Sequence, residues 1–84
     1  MDKNKQLEKE VSPDKKINAI NRHSPIPLLR LKKELAAMES GEILEIVCSD
    51  AGSGNDIATW CSKQNHTFLG EKQKEQTFSF FVEK

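Results

Sequence analysis

The spacing of apolar residues changes along this chain, and each change predicts an element. Ile17-Asn18-Ala19-Ile20 is a short apolar stretch suited to a first strand, and Asn21 after it tolerates the left-handed conformation of a tight turn. Leu28, Leu31, Leu35 and Met38 then recur at spacings of three and four, with Arg30, Lys33 and Glu34 mostly on another face, which predicts one amphipathic helix running from Pro25 to Met38. Ser40-Gly41-Glu42 stops it. Ile43-Leu44-Glu45-Ile46-Val47-Cys48 is dense in β-branched residues and suits a central strand. Ser53-Gly54-Asn55-Asp56 has the Ser-x-x-Asp form of a capping box, so Ser53 is the expected start of a second helix carrying Ile57, Trp60, Cys61 and Gln64. Asn65 is its expected left-handed terminator. Thr67 to Glu71 and Thr77 to Val82 are aromatic-rich and predict a hairpin around Lys74-Glu75-Gln76.

The resulting order, β-α-β-α-β-β, predicts an α+β fold: a two-layer α/β sandwich with two helices on one face of a mixed four-stranded sheet. A right-handed crossover makes the first two strands parallel, so Ser24 and Cys48 are expected at the same edge of the sheet, where both strands end. Residues 1–16 alternate Lys, Glu, Asp and Gln around only Leu7 and Val11, too few apolar groups to order a segment. They read as a flexible charged extension, and residues 17–84 as one domain.

Composition narrows the function. A chain of 84 residues has room for one small core, which favours a surface site over a deep enclosed one. Thirteen basic and thirteen acidic residues leave no net charge, against the basic excess of a general nucleic-acid binder. Cys48 and Cys61 have neither metal-ligand spacing nor the density of a secreted disulfide scaffold, and His23 and His66 add no paired ligand spacing, so no metal and no cofactor is expected. No apolar run spans a bilayer or forms a signal core, and the protein reads as cytoplasmic.

The helix start carries the candidate chemistry. In Ser24-Pro25-Ile26-Pro27 the prolines fall where backbone N–H groups lack intrahelical partners, and Ser24 is a favoured cap. The positive end of the helix dipole favours negative charge at this point, so a cysteine at position 24 would be an activated thiolate.

Read from Ile17 through Pro27, the chain resembles the TusA (SirA-like) family, whose pattern is an aliphatic residue, Asp, two residues, Gly, two residues and Cys-Pro-x-Pro. The likeness continues through Leu28 to Lys33, Gly41 to Ile46, Ser49-Asp50, Gly52-Ser53, Asp56-Ile57 and Trp60-Cys61. The resemblance implies a persulfide carrier that accepts sulfur from a cysteine desulfurase and passes it to a downstream acceptor, for tRNA thiolation, cofactor synthesis or sulfur oxidation. The family's cysteine maps onto Ser24, its Asp onto Asn18 and its Gly onto Asn21. Serine is a weak nucleophile without an adjacent base and cannot carry a persulfide, which predicts a chain inactive in ordinary transfer. Replacement by design and natural loss of the nucleophile both fit. The alternatives are a non-catalytic binding or regulatory module of the same fold and, third, an RNA-binding module.

Each candidate residue has a plainer reading beside the functional one. Ser24 is also an ordinary helix cap, worth about 1 kcal/mol over Ala. Cys48, expected at the same sheet edge, is either a displaced sulfur acceptor or a small buried residue ending a strand. Cys61 is structural. Arg30, Lys32 and Lys33 are candidate contacts for an acidic partner, or simply solvated charges on an exposed helix face.

Overall fold

The computed structural model describes residues 11–21, 26–50 and 52–84. Its elements are β1 (Lys15–Ala19), α1 (Ile26–Ala37), β2 (Ile43–Cys48), α2 (Gly52–Gln64), β3 (Thr67–Lys74) and β4 (Thr77–Glu83). The strands form one four-stranded sheet in the order β1-β2-β4-β3. β1 runs parallel to β2, and β4 is antiparallel to both β2 and β3. This is the expected two-layer α+β architecture. Leu31 and Leu35 of α1, Ile57 and Cys61 of α2, and Ile17, Ala19, Leu44, Ile46, Cys48, Phe80 and Val82 of the sheet form a single buried cluster. Among the described residues, the other face of the sheet carries no helix.

Local chemistry sets the element ends. Asn65, at φ 62°, ends α2 in the left-handed conformation, and the His66 N–H reaches back to the Cys61 carbonyl at 3.0 Å. At the end of α1, Lys84 Nζ donates to the Met38 carbonyl at 2.5 Å and lies 3.4 Å from that of Ala36, so a cation satisfies carbonyls at the negative end of the helix dipole.

Three features differ from expectation for identifiable reasons. β1 begins at Lys15, because Asp14 anchors the chain ahead of it. Its N–H donates to the Ile43 carbonyl, its carboxylate accepts from the Ile43 N–H, and both bonds are 2.8 Å. Ser53 is buried inside α2 rather than capping it. Asp50 takes that role, its Oδ1 accepting from Gly52 N at 2.9 Å and its carbonyl from Ser53 N at 3.2 Å. The third difference is a β-bulge between Phe68 and Gly70, which shifts the parity of β3.

The parity shift turns a charge inward. Phe68 lies opposite Val82 on the core-facing side, yet after the bulge Glu71 lies opposite Phe80 on that same side and is 7% exposed. Burial raises its carboxyl pKa above the usual carboxylate value. With the folded-state pKa raised, the native state holds the proton more tightly than the unfolded chain, so this group's contribution falls as pH rises through that interval. Glu71→Gln is expected to raise the Tm more at about pH 7 than at about pH 4. A gain that is equal at both pH values, or larger in acid, contradicts this reading in a thermal melt series.

Candidate functional site

The parallel pairing of β1 and β2 brings their C-terminal ends to one side of the molecule, with Ala19 opposite Cys48. The turns leaving both strands are tied together there. Asn21, at φ 66°, adopts the left-handed conformation expected of it, and its N–H donates to Ser49 Oγ at 2.9 Å. Asn18 Oδ1 accepts from the Ile20 N–H at 3.0 Å, forming a local side-chain turn. Asn18 and Asn21 are the two departures from the resemblance in this turn. An amide oxygen supplies an acceptor as a carboxylate does, and Asn enters the left-handed region more readily than other side chains.

Arg30 closes the arrangement from the helix layer. Its Nη1 donates to the Asn18 carbonyl at 2.8 Å, joining α1 to the last residues of β1. Pro27 is buried at the start of α1, where its missing N–H leaves no orphan donor. Ser24 and Pro25 lie outside the described residues. On either side of that segment stand Ile20, Ile26 and Leu29, which are 37%, 43% and 55% exposed. They are the exposed large hydrophobics among the described residues, and all belong to this end of the fold.

The three cations singled out in the sequence do not form one patch. Arg30 faces the end of β1, whereas Lys32 points toward α2, its Nζ 5.7 Å from the centre of the Trp60 ring. Trp60 in turn packs against His66 with ring centroids 5.0 Å apart. Lys33 is exposed on α1. Sequence inspection missed the tie between Arg30 and Asn18, for which the only signal was a basic residue one turn into a helix that follows a strand.

Both cysteines are buried. Cys48 has no exposed surface, and desolvation pushes its thiol up to about 11. The Ser53 hydroxyl, which has no other hydrogen-bond partner, lowers that value, and the Asp50 carboxylate raises it. Burial likewise pushes Cys61 up to about 11. Both shifts run opposite to the lowered pKa of a reactive thiolate. Among the described residues, no group of His, Cys, Asp or Glu side chains is placed to hold a metal ion.

Comparison with known proteins adds the family. The profile of the family described as Sulfurtransferase TusA matches residues 15–84. The chain belongs to the TusA family. The sulfur carrier protein TusA of Allochromatium vinosum is 31% identical over 71 residues, covering 84% of this chain and 93% of that one. YrkI of Bacillus subtilis, by its name a candidate sulfur carrier, is 32% identical over 71 residues, covering 84% of this chain and 95% of its own. A crystal structure of a SirA-like protein from Desulfitobacterium hafniense has the same fold, with a TM-score of 0.75 at 20% identity over 82% of this chain and 95% of that one. This TusA-family chain is thus related over nearly its whole folded part to sulfur carriers. Among its described residues no helix is long and apolar enough to cross a membrane.

Proposed function

We propose that this chain is a sulfur-carrier scaffold that docks a cysteine desulfurase or similar donor, and a downstream acceptor, through the surface around the start of α1. Position 24 is its sulfur-bearing position, filled here by serine. The observation that carries the reading is the exposed apolar group Ile20, Ile26 and Leu29 beside the family's Cys-Pro-x-Pro position. Exposed apolar side chains gathered at one place on a small domain are the usual mark of a protein-binding surface. The ties from Asn18, Asn21, Ser49 and Arg30 hold the flanking backbone in place, which lowers the ordering cost of docking.

The test is sulfur loading, read by intact-protein mass spectrometry after incubation with a cysteine desulfurase and cysteine. Ser24→Cys is expected to gain the mass of one sulfur atom on that residue, and the parent chain none. Sulfur on Cys48 of the parent chain overturns the assignment of position 24. A second reading, a binding or regulatory module that never carries sulfur, is favoured by the burial and raised pKa of both thiols. It becomes the better account if Ser24→Cys folds and still does not load.

A further inference from the structure

The helix-free face of the sheet holds a second surface, remote from the helix layer. Strand register lays out its side chains in rows. Lys16 of β1, Glu45 of β2 and Phe81 of β4 lie side by side in one row, and Val47 of β2, Ser79 of β4 and Lys72 of β3 in the next. Lys74 follows Lys72 two residues along β3, opposite Thr77. These residues and Val11 line a groove of about 420 Å³. Phe81 is 3% exposed but stands apart from the main core cluster, so with Val47 it forms an apolar floor.

The charges are arranged about that floor. Lys16 lies on one edge strand and Lys72 and Lys74 on the other, while Glu45 is the acidic residue lining the groove. Three strand spacings separate β1 from β3, about 14 Å across the sheet, and Lys72 stands one row further along the strands than Lys16, an offset of about 7 Å that the two long lysine side chains span. In an extended peptide, residues four apart on one side of the chain are also about 14 Å apart, with the residue midway between them pointing the same way. We propose that this face binds an extended acidic protein segment with a carboxylate, an apolar side chain and a second carboxylate at alternate positions. The carboxylates meet the lysines of the two edge strands, and the apolar side chain seats on Val47 and Phe81.

The floor of the groove favours this occupant over single-stranded nucleic acid. A basic groove for single strands combines its cations with aromatic faces on which bases stack, and the ring in this groove, Phe81, is buried. The proposal concerns the sheet face and is independent of sulfur loading at position 24.

NMR titration of the full chain with the peptide Glu-Ser-Val-Ser-Glu at low ionic strength tests it. The amide signals of Lys16, Val47 and Phe81 are expected to shift, those of α1 and α2 to stay, and the effect to fade with added salt. Lys16→Glu and Lys74→Glu are each expected to weaken binding about tenfold, because they set like charges together. Lys63→Glu on α2 makes the same change in net charge and is expected to leave binding unaltered. Replacing the central Val by Ser in the peptide is expected to weaken it. Absence of shifts, equal loss in Lys63→Glu, or tighter binding of a short single-stranded RNA at this face overturns the proposal. So does self-association through the face that Lys74→Glu disperses, which would assign it to a second copy of the chain.

Discussion

In the native protein, Cys48 and Cys61 are expected to react with an exposed-thiol reagent at pH 8 at least about 100-fold more slowly than in the urea-unfolded chain. The thiolate is the reacting species, and raising a thiol from 9.0 to about 11 lowers its thiolate fraction about 100-fold at that pH. A more basic thiolate is intrinsically more nucleophilic, which returns roughly tenfold. Access outweighs that return. Cys48 is 0% and Cys61 1% exposed, so reaction has to await an opening of the sheet and helix layers that hold them. A stopped-flow or hand-mixed time course with an aromatic disulfide, native against unfolded, gives the ratio. One rapid equivalent in the native protein would show an accessible thiol and revive Cys48 as a sulfur acceptor. Two slow equivalents leave position 24 as the place where sulfur chemistry has to be restored.

Much of the fold is legible in the sequence, while contacts between distant parts of the chain are not. Periodicity located β2 residue for residue, because Ile43 to Cys48 is both apolar and β-branched, and it located the helical stripes because Leu31, Leu35, Ile57 and Cys61 must all face one sheet. The left-handed turns at Asn21 and Asn65 were legible because few side chains enter that region readily. Ends set by contacts distant in the chain were not. β1 starts earlier because Asp14 bonds to Ile43, a pairing 29 residues apart that no local pattern contains. The cap of α2 moved from Ser53 to Asp50 because both residue types serve that position and burial of Ser53 against Cys48 decides between them. The bulge in β3 was hidden for the same reason, since strict alternation puts Glu71 outward and only the register with β4 turns it in. In the site, the motif identified position 24 by resemblance, whereas the exposed trio around it and the bond from Arg30 to the Asn18 carbonyl needed the fold.

Phe80→Ala is expected to destabilise the domain by about 3–5 kcal/mol, the range for removing a buried Phe from a packed core. Phe80 is fully buried on β4 between Ile46 of β2 and Glu71 of β3, with the Phe68 and Phe78 rings each 6.4 Å away centre to centre. Its loss leaves a void lined by β-strand side chains that cannot close it without bending the sheet. A domain of this size has a stability near the lower end of the usual 5–15 kcal/mol, so most of it goes, and the Tm falls by more than about 10 °C. Phe81→Ala, one residue along, provides the contrast. That ring lies on the helix-free face beside an open groove, so water reaches the vacated space and the loss is expected to be clearly smaller. Urea titrations of the two variants measure the difference, and equal losses would contradict the assignment of one ring to the core and the other to the binding face. The comparison bears on function as well. Phe80→Ala loosens the pairing of β4 with β2 that supports the turns beside position 24, whereas Phe81→Ala leaves those turns intact and removes the floor of the acidic-segment groove. Sulfur loading of Ser24→Cys is therefore expected to survive Phe81→Ala under conditions where peptide binding is lost.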